Sequence, residues 1–159
     1  MDNKINIRVI KPEEIPLVGL LIRDTIRTSY GSVYPSLAVD FFLNYHTDES
    51  ISQRRKSGIV IVAEWDGEIL ATGSLVGTEI TGVFVRADLQ GKNLGSLVMN
   101  RLESLAARNG HKYVELSISL PSRGFYTKRG YRITRPASID VGMGQSLDYW
   151  EGKKTLSIR

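Results

Sequence analysis

The chain has 159 residues, 42% of them hydrophobic and 24% charged, and this composition predicts one globular domain over residues 1–159. Lys and Arg number 21 against 17 for Asp and Glu, but no long basic run occurs, so the charge suits a small anionic ligand better than nucleic acid. The absence of cysteine excludes disulfides, thiolate metal sites and a cysteine nucleophile.

Targeting and membrane segments are not apparent in the sequence. No apolar stretch approaches the ~20 residues that span a bilayer, and the first residues lack the apolar centre of a signal peptide. We therefore expect a cytoplasmic protein that has no membrane partner.

A strand followed by helices is predicted for the first third of the chain. Residues 5–9 alternate apolar and polar side chains, which indicates a strand. Pro12 and the two acids after it are typical of a helix start, and a second short helix is predicted around Phe42. Residues 46–57 are polar and fit either a loop or a surface helix.

The hydrophobic period then changes to that of strands. Residues 59–65 are rich in β-branched side chains, Asp66-Gly67 is a strong hairpin signal, and residues 68–76 form the return strand. A third strand is predicted over 79–86, so three successive antiparallel strands make a meander.

Helices and strands alternate in the rest of the chain. Apolar residues recur at helical spacing over 94–106, and a strand at 113–118 and a short helix at 121–129 follow. Further strands are predicted at 131–134 and 147–158. The predicted order is β-α-α-β-β-β-α-β-α-β-β, which defines an α/β domain with a mixed (α+β) sheet.

The loop before the long helix is a candidate phosphate cradle. Gly91 and Gly95 would let an anion approach the backbone, Asn93 tolerates a left-handed conformation, and Lys92 adds positive charge. The first N–H groups of a helix are unpaired, and its dipole favours negative charge there. The segment is not a P-loop, because Asn93 stands where a P-loop has Ser or Thr. A loop with two convenient glycines is the alternative.

The same segment resembles the acetyl-CoA motif of the GNAT superfamily of N-acetyltransferases, Gln/Arg-x-x-Gly-x-Gly/Ala. Gln90, Asn93 and Gly95 occupy its defining positions, and Asn93 departs from the usual Gly. The resemblance implies the GNAT fold, acetyl-CoA as cosubstrate without a metal, and direct transfer of acetyl to a primary amine in a ternary complex. It implies CoA contacts from Val83, Phe84, Val85, Gln90, Gly91, Lys92, Asn93, Leu94, Gly95 and Ser96.

A second segment, residues 119–131, resembles the late motif of the same family, in which a Tyr is followed by Gly and an aromatic residue. Tyr126 falls on the tyrosine beside the CoA sulfur, which implies that it protonates or hydrogen-bonds the leaving thiolate. Ser119 falls where the family often has Asn and Ser122 where it often has Ala, and we assign both to CoA binding. Judged on the residues alone, core packing is the alternative for Tyr126.

Glu79 is interpreted as the general base, acting through a water. It stands eleven residues before Gln90, which resembles the spacing of a catalytic Glu in the histone-acetylating branch of the family. Regular alternation along the strand would put Glu79 on the same face as Val83 and Val85. An exposed and idle Glu after a turn is the alternative.

Other side chains are given milder roles. Tyr30 and Tyr34 are expected to line a pocket in the region that lies over the acceptor in the family, whereas Phe42 is expected to pack in the core together with Phe41. His46 stands alone in the sequence and is expected on the surface or in a loop, as is the basic cluster at 54–56.

Several points stay open at this level. The acceptor is a small-molecule amine or a protein amine, because acceptor contacts fall in the early helices that vary within the family. A homodimer is compatible with the sequence. A non-catalytic acyl-CoA-binding relative of the same fold is the alternative function.

Overall fold

One mixed sheet forms the centre of the protein, and the computed structural model describes residues 4–157 of the chain. Its strands are β1 Asn6–Val9, β2 Ile59–Trp65, β3 Glu68–Val76, β4 Glu79–Val85, β5 Tyr113–Ser119, β6 Arg132–Gly142 and β7 Gln145–Thr155. The spatial order is β1-β2-β3-β4-β5-β7-β6, in which β4 and β5 are parallel and the other neighbours antiparallel.

Helices cover both faces of this sheet. They are α1 Ile15–Tyr30, α2 Ser36–Tyr45, α3 Asp48–Ser57, α4 Leu94–Arg108 and α5 Arg123–Lys128. Short 3-10 turns occur at Pro12–Glu14, Ala87–Leu89 and Leu120–Ser122. None of the helices formed by residues 4–157 is long and apolar enough to cross a membrane.

The sheet has two apolar faces because its central strands are buried on both sides. Val60 and Val62 of β2 pack with the α1–α3 cluster, whereas Ile61 between them packs with the α4–α5 cluster. Successive side chains of a strand point to opposite faces, so the continuous apolar run of β2 serves both clusters.

The Asp66-Gly67 hairpin is confirmed. Both residues have positive φ, 51° and 78°, as a two-residue type I′ turn requires. The predicted strands at 59–65 and 68–76 have the bounds found for β2 and β3.

The segment at 46–57 is helical, so three helices rather than two lie between β1 and β2. Thr47 caps α3, its side chain accepting a hydrogen bond from the Ser50 N–H at 3.1 Å. Acids in the first turn and bases in the last turn complement the dipole. The predicted element order is therefore corrected by one helix.

The last hairpin is longer than predicted. The strand expected at 131–134 continues through Gly142 as β6, across Pro136. Pro is tolerated there because β6 is an edge strand, where a missing N–H breaks no ladder. The last strand is β7, Gln145–Thr155, and its predicted end at 158 lies outside the described residues.

Candidate active site

The site lies where β4 and β5 separate. Within the described chain these strands pair at one position, Glu79 with Glu115, where the Glu115 N–H donates to the Thr78 carbonyl at 3.0 Å. Beyond that position the strands diverge, which leaves a gap in the middle of the sheet.

Backbone groups of β4 face this gap. The Arg86 N–H donates to the Leu70 carbonyl of β3 at 2.9 Å. Antiparallel pairs alternate between hydrogen-bonded and non-bonded positions, so Phe84 also bonds β3, whereas Val85 is turned away from it. Val83, two residues earlier, is turned the same way, and both valines offer backbone groups to the gap.

A bulge in β4 separates Glu79 from these valines. Two residues, Gly82 and Val83, lie opposite the single Gly73 of β3, and Gly82 has a φ of 65°. The bulge reverses the alternation, so Val83 and Val85 pack with the α4 cluster while Glu79 lies on the other face. The prediction that they share a face is wrong, because alternation holds only along an unbulged strand.

Two depressions open from the gap. The first, here called the inner cavity, has a volume of about 220 Å³ and lies on the α2 side. Aromatic rings of α1 and α2 form one wall, polar groups of the α2–α3 junction, β4 and β5 contribute to the lining, and apolar side chains of β4–β7 complete it. They include Tyr30, Phe41, Phe42, Tyr45, His46, Glu79, Thr81, Ser117 and Ser119.

The second depression, here called the groove, runs from the end of β4 to the start of α4. Most residues predicted to contact CoA line it, and two do not. Lys92 is exposed outside the groove, and Ser119 lines the inner cavity instead. Those in the groove are Val83, Phe84, Val85, Gln90, Gly91, Asn93, Leu94, Gly95, Ser96 and Ser122.

The start of α4 has the conformation expected of an anion cradle. Asn93 is left-handed at φ 66°, and Gly91 has φ 81°. The first bond at the helix start is donated by the Leu97 N–H to the Asn93 carbonyl at 3.1 Å, so the N–H groups before it lack helical partners. A Cβ at Gly95 would lie 3.2 Å from the Phe125 ring, which explains the small residue there.

Tyr126 lies where the two depressions meet and lines both. It is 8% exposed, with its ring edge-on to Tyr131 and Phe125 at 5.6 and 5.0 Å. Among residues 4–157, the Tyr126 hydroxyl is not one of the side-chain atoms that are both fully buried and without a hydrogen-bond partner. Burial and the nearby Tyr30 raise the pKa of Tyr126, so the phenol keeps its proton at neutral pH.

A hydroxyl network connects the two depressions. The Tyr30 hydroxyl donates to Ser119 Oγ at 3.0 Å, and the hydroxyls of Ser119 and Ser122 lie 2.8 Å apart. Tyr30 lines both depressions, as predicted. Tyr34 instead lies in the core, where it accepts a hydrogen bond from the Leu120 N–H at 2.7 Å.

The aromatic side chains of α2 also differ from expectation. Phe41, expected in the core, is 36% exposed and lines the inner cavity, stacked on Tyr45 at 6.3 Å. Phe42 packs edge-on against Tyr30 at 4.8 Å and lines the same cavity. The α2 helix therefore forms the aromatic wall of the inner cavity.

Glu79 keeps solvent access and borders the inner cavity. Partial desolvation of its carboxyl, followed by the negative charge of Glu115, raises its pKa, while the Arg54 guanidinium acts in the opposite direction. Among residues 4–157, no group of three or more His, Asp or Glu side chains is placed to hold a metal ion.

The prediction that His46 lies on the surface is wrong, because its side chain is buried at the α2–α3 junction. It is 5% exposed and forms part of the cavity wall, with Arg54 Nη1 3.1 Å from its Nδ1. Burial and the Arg54 charge lower the pKa of His46 to about 3. The sequence offers one signal for the burial of His46: it immediately precedes the Thr47 cap, between two helices that both pack on the sheet.

Comparison with known proteins agrees with this arrangement. Residues 21–131 match the model of the acetyltransferase (GNAT) family, a span that contains the groove, Glu79 and Tyr126. No curated protein sequence matches the chain.

Solved structures of similar fold are numerous. A Rhodopseudomonas palustris protein described as a GCN5-related N-acetyltransferase, aminotransferase class II, has a TM-score of 0.87 and 20% identity, over 96% of each chain. Thermoplasma acidophilum PaiA N-acetyltransferase, in complex with coenzyme A, has a TM-score of 0.72 and 14% identity, over 95% of this chain and 98% of that one. Salmonella typhimurium YncA, a putative acetyltransferase with its cofactor acetyl-CoA, has a TM-score of 0.70 and 18% identity, over 98% of this chain and 95% of that one. These similarities confirm the predicted fold class.

Proposed function

The chain belongs to the acetyltransferase (GNAT) family, and from that premise we propose that it transfers an acetyl group from acetyl-CoA to a primary amine by direct attack in a ternary complex. One observation carries the proposal: the groove and the inner cavity meet at Tyr126. Direct transfer needs two binding sites that meet at one point, and this arrangement supplies them.

The groove is proposed as the donor site. The unpaired N–H groups at the start of α4 and the left-handed Asn93 fit a pyrophosphate, which favours a helix N-terminus. The backbone groups of Val83 and Val85 that face the gap fit the amides of pantetheine as an added strand would. The Val85 carbonyl would have to exchange partners, because it already accepts bonds from Thr25 Oγ1 at 3.2 Å and Gln90 Nε2 at 3.5 Å. Bound there, acetyl-CoA supplies the reactive thioester.

Tyr126 is proposed to stabilise the departing sulfur. When the amine nitrogen bonds to the acetyl carbon, the carbon–sulfur bond breaks and the sulfur needs a proton or a hydrogen bond. A tyrosine at its usual pKa of ~10 could transfer a proton to a thiolate, whose conjugate thiol has a pKa of ~8.5. Because burial raises the pKa of Tyr126, transfer is less favourable, and donation of a hydrogen bond to the sulfur is the better-supported role.

Glu79 is proposed as the general base, acting through water. An alkylammonium has a pKa of ~10.4 and must lose a proton before its nitrogen can attack. Glu79 borders the inner cavity, retains solvent access, and has a raised pKa. A carboxylate with a raised pKa is a stronger base, and its solvent access lets a water relay the proton.

Two measurements test the proposal together. Titration calorimetry with CoA is expected to show binding in the micromolar range or tighter, and an assay of free CoA with a panel of amines is expected to show amine-dependent release. Absence of heat at high protein concentration would contradict the donor site. Binding without release for any amine would instead indicate a non-catalytic acyl-CoA-binding relative.

A further inference from the structure

Arg54 fixes the tautomer of His46. A guanidinium can only donate hydrogen bonds, so Arg54 Nη1, 3.1 Å from His46 Nδ1, is the donor of that bond. Nδ1 therefore carries the lone pair, and the neutral ring carries its proton on Nε2. The lowered pKa of His46, about 3, keeps the ring in this neutral form at physiological pH.

The His46 ring lines the inner cavity, and its protonated nitrogen Nε2 has no hydrogen-bond partner among residues 4–157. Edge-on contacts with Tyr45 and Phe84, at 5.0 and 5.1 Å, hold the plane of the ring. Among residues 4–157, the His46 ring atom that has a hydrogen-bond partner is Nδ1. The Nε2 atom is not one of the fully buried side-chain atoms that lack a partner. His46 thus presents a single donor and no free lone pair, which excludes it as the general base.

Two chemically different groups therefore line the inner cavity. Glu79, at the start of β4, suits an ammonium group, whereas the His46 donor at the α2–α3 junction suits an oxygen. Arg54 lies near both groups, because its charge acts on both His46 and Glu79. Its guanidinium lies 3.2 Å from where a Cβ of Gly82 would stand, so the bulge glycine makes room for it.

We propose that His46 donates a hydrogen bond from Nε2 to an oxygen of the acetyl acceptor, and so selects amines that carry a carbonyl or carboxylate oxygen close to the amino group. This inference rests on the proposed acetyl transfer and names the acceptor class for the same site. A simple alkylamine would satisfy Glu79 but leave the His46 donor unpaired in a desolvated wall. Such a mismatch is expected to lower kcat/KM by about 10- to 100-fold.

Matched acceptor triplets test this selection. Each triplet consists of an alkylamine, an amino-acid amide and an amino acid that carry the same side chain. One triplet is 2-phenylethylamine, phenylalaninamide and phenylalanine. The corresponding compounds with isobutyl and aminobutyl side chains form two more triplets. With kcat/KM expressed per neutral amine, because a neighbouring carbonyl lowers the pKa of the amino group, the wild-type enzyme is expected to prefer the oxygen-bearing members of a triplet by about 10- to 100-fold. The ratio of amide to acid then tells whether a neutral carbonyl or a carboxylate is the natural source of the oxygen.

Variants of His46 separate recognition from folding. His46→Phe keeps a ring of similar shape without the donor, and it should abolish the preference by raising KM for the oxygen-bearing amines alone. His46→Gln places an amide N–H near Nε2 and should restore part of the preference. His111→Phe is the matched control on the other histidine of the chain, and CoA affinity by calorimetry should be unchanged in all three.

Arg54 is a positioning residue in this scheme. Arg54→Met should let the imidazole exchange tautomers and should raise the His46 pKa only in part, because burial is the larger cause of its lowering. Long-range ¹H–¹⁵N NMR detects both changes directly, because the chain has 2 histidines. The same variant should weaken the preference within each triplet.

The outcomes distinguish this inference from the proposed function. Equal turnover of the three members of each triplet, or a preference that His46→Phe leaves intact, overturns the acceptor assignment alone. CoA binding without turnover of any amine overturns the proposed acetyl transfer and the acceptor assignment with it.

Discussion

A glutamate at Gly95 should abolish CoA binding while leaving the fold intact. The Cβ of any residue there would stand 3.2 Å from Phe125 Cζ and 3.7 Å from Val85 Cγ2, so the side chain is directed into the groove. A carboxylate in the first turn of α4 interacts favourably with the helix dipole, so it stabilises the helix and competes with a phosphate for the same N–H groups. The variant should therefore fold normally.

The size of the effect follows from the charges. Two unit charges about 4 Å apart at an effective dielectric constant of about 20 repel by ~4 kcal/mol, and even half of this weakens binding by about 30-fold. We expect CoA affinity to fall at least about 30-fold in Gly95→Glu. The assay is calorimetry with CoA, with a thermal melt to verify folding.

Two controls make the test specific. Gly95→Ala adds only a Cβ against the end of a movable ring, and it should change CoA affinity by a few-fold at most. Gly124→Glu adds the same charge in α5, where a Cβ would meet no atom within 4 Å, and it should bind normally. Wild-type affinity in a folded Gly95→Glu protein would refute the placement of the phosphates at the start of α4.

Three further predictions concern catalysis and stability. Tyr126→Phe should lower kcat about 10- to 100-fold with CoA affinity unchanged. The control Tyr131→Phe loses a 2.8 Å hydrogen bond to Glu103 outside both depressions and should lower the melting temperature instead. An unaltered kcat in Tyr126→Phe would make Tyr126 a packing residue. Glu79 acts only when ionised, so its raised pKa should give kcat/KM an acidic limb above the usual Glu range; Glu79→Gln should remove that limb, and Glu115→Gln should shift it to lower pH. A limb that persists in Glu79→Gln would assign the base to another group. His46 is neutral in the folded protein and takes up a proton below pH ~6.5 in the unfolded chain, so the protein loses stability as pH falls from ~6.5 toward 3, by up to about 3 kcal/mol at pH 4.5. Denaturation at pH 7 and at pH 4.5 should show a smaller loss of unfolding free energy in His46→Gln than in the wild type. Equal losses in the two proteins would contradict the buried neutral ring.

Local sequence signals were sufficient for the meander and the cradle. Asp66-Gly67 and the β-branched runs beside it specify a hairpin without help from distant contacts. The left-handed Asn93 could also be foreseen, because Asn is the best non-glycine residue at that conformation. The family resemblance then extended these local features to a complete fold.

Features that depend on tertiary contacts were not predictable in the same way. At the Gly82 bulge a Cβ would stand 3.2 Å from Arg54 Nη1 of α3, a contact between elements that the local sequence does not reveal. One inserted residue there moved Glu79 to the opposite face from Val83. The His46–Arg54 contact joins the C-terminal cap of α2 to α3, and the sequence placed both residues on the surface or in a loop. It becomes visible only when α3 packs against the sheet.

A crystal structure of the enzyme with CoA would show directly where the donor lies. We expect the pyrophosphate to contact the N–H groups at the start of α4, and the sulfur to lie within hydrogen-bonding distance of the Tyr126 hydroxyl, with the inner cavity open beside it. A CoA molecule bound outside the groove, or one whose sulfur lies away from Tyr126, would contradict the claim that donor and acceptor meet at this residue.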